Sequence, residues 1–428
     1  MVHMTSTCSR EQNNLPRLPV PTLAETARKY LKTVGPLLNN DEFNETKKIV
    51  EQFQHESEPL QELLLKRAQT EENWLSQWWL DKTYLEWRLN LPIFYNPAVV
   101  LPRQSYRNFD GQIQYAANFI HSILRYRSLI DDNQIPIDHF GSDPLCMDQY
   151  RKVLGICRIP AKSIDRLHLY KKDDHRHVAV FYRNNVNIIY RLPVYDDQGN
   201  KLSAEVIYTH LKKLPDLQES DEKQTLIGHL TADERQLWAP IYEQLSSIPE
   251  NKNLFDTIND SLLVLCLDES YQSSNDKTTE QDNQKFVGLN FLHGGGTKNN
   301  TANRWFDKTL QVIVGPNGYS GLNYEHSLAE GGIITTLVDY ALDYCKTAVP
   351  LVHTNQPSLL SKCRIVIPKE VEQSIIESEK RVNKFIENCD LIVHKYPEYG
   401  KDFAKQNKLS IDAIIQVALQ VAYFRCVL

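Results

Sequence analysis

Apolar and polar positions change period several times along the chain, and each change marks an element. Residues 41 to 69 place Phe43, Ile49, Val50, Phe53, Leu60, Leu63 and Leu64 at helical spacing, with a break near Glu56 to Pro59. A helix is expected earlier, from about Thr22. The stretch Leu15-Pro-Arg-Leu-Pro-Val-Pro21 before it must be extended, since each proline fixes its own φ and pushes the preceding residue out of the helical region. Asn73 to Arg88 gathers four Trp and a Tyr into one predicted helix. That is more aromatic surface than solvent tolerates, so Trp74, Trp78 and Trp87 are expected in the core.

Strand patterns follow. His177 to Tyr195 alternates as two strands around Asn184-Asn185, and Ser203 reads as the cap of a helix reaching Leu214. Thr231-Ala-Asp-Glu234 has capping-box spacing before another helix. Leu262 to Leu267 is a short apolar strand, and the polar run Glu269 to Lys285 is expected to be a mobile surface loop. Leu310 to Val314 and Tyr319 to Glu325 form a predicted hairpin across Gly315-Pro-Asn-Gly318, and Ala329 to Tyr344 is helical beyond its glycines. Strands and helices alternate without a repeating period, so the class is α/β or α+β with a mixed sheet.

Composition narrows the function classes. The 428 residues suffice for two or three domains and a sizeable core. A net charge of -6 gives no general attraction to nucleic acid or anionic membranes, and no apolar run is long enough to span a bilayer. The eight cysteines show no CxxC pair and no His partner at metal spacing, so they are expected to be reduced, mostly buried thiols, with no metal site. Residues 1 to 14 are polar and expected to be a disordered tail without an evident presequence.

His326 carries the candidate chemistry. It stands where the predicted hairpin ends, with Glu330 four residues on. A His at such a corner can reach into a cleft as general base, and a carboxylate nearby can fix its tautomer and stabilise the imidazolium. Taken alone, the pair fits a structural histidine as well. Gly294 to Gly296 lacks the Lys-Ser/Thr ending of a phosphate loop and reads as close backbone packing; Arg304 and Asp307 read as an ion pair buttressing the cleft, and His293 has no visible ligand partners.

Four motifs in order change the weighting. Tyr324-Glu-His-Ser-Leu-Ala-Glu-Gly331 resembles the catalytic-histidine motif of the choline/carnitine acyltransferases, and Leu292-His-Gly-Gly-Gly296 and Asn303-Arg-Trp-Phe-Asp-Lys308 precede it at that family's spacing. Leu15-Pro-Arg-Leu-Pro-Val-Pro21 is similar to the family's N-terminal signature, with Ala27 where a larger aliphatic residue is usual. The resemblance runs from about residue 15 to Arg425.

The resemblance implies that His326 is the general base, supported by Glu330, in reversible acyl transfer between coenzyme A and carnitine without an acyl-enzyme. Glu330 resembles the members that transfer acetyl to carnitine; Asp there is typical of choline and longer-chain enzymes. By the same resemblance Lys401 and Lys405 meet the 3'-phosphate of CoA, Asp412 faces its adenine end, and Trp79 and Tyr84 lie near the carnitine site. Without the family context, these lysines read as a solvated basic loop. Acyl-CoA and carnitine are then co-substrates with no tightly bound cofactor, the chain is expected to be monomeric, and the setting is mitochondrial or peroxisomal. Choline as acceptor, or binding without turnover, are the alternatives.

The implied architecture has two related α/β domains, each like chloramphenicol acetyltransferase, with the active site between them. Residues 15 to 73 are then helices that pack on the C-terminal domain, 74 to 367 the N-terminal domain with the catalytic His, and 368 to 428 the start of a C-terminal domain that is incomplete, because family members continue well beyond Arg425. Ser410 is expected to cap a final helix from Ile411 to about Val427 whose apolar residues cover nearly every face, which leaves apolar surface uncovered.

Overall fold

The computed structural model describes residues 15–169, 176–218, 227–269 and 280–427. The expected tail at 1 to 14 lies outside them, as does most of the expected loop after Glu269.

Eleven strands and thirteen α-helices are present among the described residues. The helices are α1 (Leu23–Val34), α2 (Asn40–Glu56), α3 (Glu58–Thr70), α4 (Ser76–Trp79), α5 (Phe109–Asp131), α6 (Ala204–Leu211), α7 (Arg235–Ser246), α8 (Lys252–Asn259), α9 (Glu280–His293), α10 (Gly331–Lys346), α11 (Lys369–Glu387), α12 (Lys401–Gln406) and α13 (Ile411–Val427). The strands are β1 (Ala98–Val100), β2 (His139–Phe140), β3 (Asp143–Pro144), β4 (Cys157–Ile159), β5 (Arg166–His168), β6 (His177–Asn184), β7 (Val186–Pro193), β8 (Val264–Leu267), β9 (Leu310–Val314), β10 (Ser320–Tyr324) and β11 (Ser361–Cys363). Seven of them form one sheet in the order β1-β10-β9-β8-β6-β7-β11. β8 runs parallel to both β6 and β9, and the other pairs are antiparallel, so the class is α/β with a mixed sheet.

Alternation along the strands sorts the core into two layers. On β6, Val178, Val180 and Tyr182 face a cluster built with α5, α6 and α10, while Ala179 and Phe181 face one built with α7, α8 and α9. α5 starts where Asn108 Oδ1 accepts from the backbone N–H of Gly111 at 2.8 Å, and it buries Ile113, Phe119, Ile120 and Ile123 completely. Burying each such side chain contributes about 1.5–3 kcal/mol.

Several local expectations are met for their stated reasons. Thr22 Oγ1 caps α1, α2 and α3 break at Ser57 ahead of Pro59, and Asn185 takes the positive φ, 61°, that turns β6 into β7. Others are corrected. Residues 73 to 88 are not one helix: α4 passes into a π-turn over Leu80–Leu85, and the helical run ends there. Trp78 is 45% exposed with Arg67 over its ring at 4.5 Å, so it is not core, while Trp74 and Trp87 are half-buried. Thr231 forms no capping box; its hydroxyl donates to the carbonyl of Gly228, and α7 begins without a side-chain cap. Residues 280 to 285 belong to α9 rather than to a loop. Of the described cysteines only Cys157, Cys266 and Cys363 are buried, and Cys146 and Cys426 are exposed.

Beyond residue 367, α11 packs on the body through buried Val371, Val382 and Ile386, and Arg381 reaches Asp233 at 2.7 Å. α12 and α13 pack on each other. Ser410 caps α13 as the sequence suggests, and Ile415, Val417, Leu419 and Phe424 are exposed on it.

Candidate functional site

Two pieces of chain far apart in sequence meet at the site. The first is the π-turn. Its wider bonding, with Glu86 N–H donating to the carbonyl of Asp81 at 2.8 Å, rotates Tyr84 inward, and π-turns of this kind recur at functional sites. Tyr84 is buried, its ring edge-on to Tyr95 at 5.6 Å. Burial, with the nearby Glu330 carboxylate adding to it, holds the phenol above its ordinary pKa, so Tyr84 is a neutral hydroxyl at physiological pH.

The second piece is the exit of β10. That strand lies between β9 and β1, and the register sets Tyr324 opposite Leu310. Beyond it, Glu325 N–H donates to the carbonyl of Thr309 at 3.1 Å, and His326 turns out of the sheet. Its imidazole lies between the rings of Tyr324 (5.6 Å) and Tyr84 (5.9 Å), with Nδ1 3.3 Å from Tyr84 Oη.

Glu330 occupies the cap position of α10 but makes no side-chain cap bond. Its backbone N–H donates to Gln149 Oε1 at 3.1 Å, which leaves the carboxylate free to approach His326 Nε2, 3.8 Å away. A cleft of roughly 430 Å³ opens beside the pair, and Trp79, Tyr84, Asp148, Gln149, Ser327 and Glu330 are among the residues lining it.

Beneath these side chains lies a buried charge network. Asp165 accepts from Arg158 (2.7 Å), Arg235 (2.8 Å) and Arg88 (2.9 Å). Against burial, which pushes its pKa up, Arg235 and Arg158 hold this carboxyl below the usual range. Arg235 also pairs with Asp307, whose second oxygen accepts from the indole of Trp238 at 2.8 Å. Arg158 extends the network to the site: it donates to the carbonyl of Tyr84 at 2.6 Å and to Glu325 at 3.0 Å.

His326, Glu330, Tyr84 and Trp79 are thus brought together, Trp79 at the cleft mouth with 54% exposure. Lys401, Lys405 and Asp412 are not brought to this cleft; they are exposed on α12 and α13. Arg304 and Asp307 do not pair with each other. Arg304 holds Asp268 with two nitrogens at 2.6 and 2.7 Å, and Asp307 belongs to Arg235. All three of Gly294 to Gly296 are at positive φ, but only Gly294 packs closely on backbone, at Thr301; Gly295 and Gly296 face side chains, and His293 Nδ1 accepts from Gly295 N–H. No group of three or more metal-ligating side chains occurs among the described residues.

The sequence reading missed Arg158, Asp165, Arg235 and Gln149. For Arg158 one signal existed: a guanidinium between Cys157 and Ile159, in a segment otherwise apolar from Val153 to Ile159 apart from Gly155.

A family profile described as choline/carnitine o-acyltransferase matches residues 18–427. Carnitine O-acetyltransferase of Homo sapiens is 36% identical over 99% of this chain and 68% of its own length. Choline O-acetyltransferase of Danio rerio is 34% identical over 96% of this chain and 65% of its own. The chain therefore spans about two thirds of these relatives. Among solved structures, a chloramphenicol acetyltransferase aligns at 13% identity and a TM-score of 0.29, over 64% of this chain and 96% of that one, a likeness too loose to inform the site. No helix among the described residues is long and apolar enough to cross a membrane.

Proposed function

The chain belongs to the choline/carnitine O-acyltransferase family, and from that premise we propose that it moves an acetyl group reversibly between coenzyme A and carnitine, with His326 as general base. The observation that carries this is the imidazole held between two tyrosine rings at a cleft, one nitrogen beside a phenol and the other beside Glu330.

With the proton on Nδ1, shared with Tyr84 Oη 3.3 Å away, the lone pair of His326 lies on Nε2, the nitrogen nearer Glu330. Nε2 takes the proton of the carnitine hydroxyl as its oxygen bonds to the thioester carbon. The C–S bond then breaks, and the CoA sulfur takes the proton from Nε2. The carboxylate of Glu330 stabilises the imidazolium between these two transfers. An imidazole suits both directions because its ordinary pKa lies near neutrality.

The remaining assignments follow the family motifs. Lys401 and Lys405 meet the 3'-phosphate of CoA and Asp412 its adenine end; the exposure of all three suits a surface-borne nucleotide. Trp79 offers a ring face to the quaternary ammonium and Tyr84 a hydroxyl to the carboxylate of carnitine. The chain acts as a monomer in a mitochondrial or peroxisomal setting, with residues 74 to 367 as one acyltransferase domain and 368 to 428 opening a second. Acetyl-CoA formation from acetylcarnitine and CoA tests the proposal. Activity that survives unchanged in His326→Ala overturns the base assignment, and competition between carnitine and choline fixes the acceptor.

A further inference from the structure

We propose that Arg158, acting with Glu325, is a positioning residue that locks His326 and Tyr84 into one geometry; this rests on the reading of His326 as base. Arg158 is fully buried on β4, an element separate from the two that carry the reacting side chains. Its three donor groups meet three different partners. Nη2 donates to the Tyr84 carbonyl at 2.6 Å, Nη1 to Glu325 Oε1 at 3.0 Å, and Nε to Asp165 Oδ2 at 2.7 Å. One rigid planar group therefore spans the π-turn that bears Tyr84 and the strand exit that bears His326.

Glu325 completes the clamp. While one oxygen meets Arg158, the other accepts from both the backbone N–H of Ser327, at 3.2 Å, and the Ser327 hydroxyl. Glu325 N–H is itself bonded to Thr309. The residues on either side of His326 are thus pinned, and the imidazole swings only about its own side-chain bonds. Glu325 is 1% exposed and meets Arg158 in the interior at 3.0 Å. Both residues are buried at 1% exposure and their polar atoms are taken up by protein partners, so they act through Tyr84 and His326.

Geometry held this way matters because a displacement of about 1 Å can cost about a hundredfold in rate. Glu325→Gln keeps the side-chain size but replaces one acceptor oxygen by an amide that cannot accept from both Arg158 and Ser327. The variant should lose about tenfold or more in kcat with KM for CoA and carnitine within about twofold. Arg158→Lys should lose as much, because one ammonium cannot reach all three partners. The second measurement needs no turnover: in selectively labelled full-length protein, the nuclear Overhauser contact between the His326 and Tyr84 rings should weaken in both variants while the Tyr84–Tyr95 contact persists. Unchanged kcat, or an undiminished His326–Tyr84 contact, overturns the proposal. If wild-type protein shows the ring contact but no acetyl transfer, the functional reading fails and the positioning is still tested by the ring contacts.

Discussion

Tyr84 Oη lies 3.3 Å from His326 Nδ1 across 242 residues of chain, with the two rings within 14° of parallel. Burial keeps the phenol protonated, so it meets Nδ1 as a neutral hydroxyl. Tyr84→Phe retains the stacking and removes this bond. Acetyl transfer should fall by about three- to tenfold, the rate equivalent of one neutral hydrogen bond. A Tyr84→Phe enzyme as fast as wild type would show that the phenol only packs.

Lys401 and Lys405 are exposed on α12, so changing them should leave the fold intact. The double variant Lys401→Ala/Lys405→Ala should raise KM for CoA about tenfold or more, as expected for lost charge-assisted bonds to phosphate. The same variant assayed with 3'-dephospho-CoA should match wild type assayed with it. An equal loss with both nucleotides would remove these lysines from the phosphate site.

Asp165 accepts from three guanidinium groups in the interior. Asp165→Asn leaves positive charge there without its counterion and should destabilise by about 3–5 kcal/mol in urea unfolding. A loss below about 1 kcal/mol would mean that Glu325 and Asp307 suffice to compensate the arginines.

Acid should destabilise the fold well before the carboxylates of the surface titrate. Burial pushes His177, His210 and His293 down to about 4 from an ordinary 6.5. Between those values the unfolded chain binds protons that the folded chain refuses, so stability falls as pH drops through that window and is fully present above 6.5. Asp165, with its pKa lowered in the fold, adds a loss in the same direction at still lower pH. Asp307, pushed up to about 6 by burial, binds its proton in the fold first and opposes the loss over part of the histidine window. Three histidines outweigh one carboxyl, so calorimetric Tm should decline from pH 6.5 to pH 4, and a Tm that rises over that range would contradict the burial of these rings as neutral groups.

Gly294 has φ of +82°, and an added Cβ would sit 2.3 Å from the backbone nitrogen of Thr301. Gly294→Ala combines left-handed strain with overpacking and should cost about 2–5 kcal/mol. Thermal denaturation of the variant beside Gly332→Ala, where nothing lies within 4 Å and φ is not positive, separates strain and overpacking from the mere addition of a methyl group.

What the sequence disclosed and what it hid differ in physical kind. Short-range patterns were readable: alternation gave the β6–β7 hairpin, the Gly315 to Gly318 turn gave β9–β10, and Ser410 gave the start of α13. His326 was readable because its motif is contiguous. Partners at long range were not. Asp307 looked like the mate of Arg304 because they are three residues apart, yet that proximity follows the chain and not the fold: Asp268 and Arg235 arrive from other elements. The π-turn was hidden for a different reason, since one extra residue per turn leaves the aromatic pattern looking helical. Trp78 misled because aromatic density was read as burial, whereas its ring covers the side chain of Arg67 at the surface.

The clamp centred on Arg158 joins residues 84, 158 and 325, so three stretches of chain must be docked before the imidazole is held. During synthesis the first two would leave the ribosome long before the third. The site therefore cannot mature locally: its last component closes contacts of large sequence separation, a slow class of folding event. Ring contact between Tyr84 and His326 would accordingly serve as a late marker of refolding, arriving after the β6–β7 hairpin has already formed.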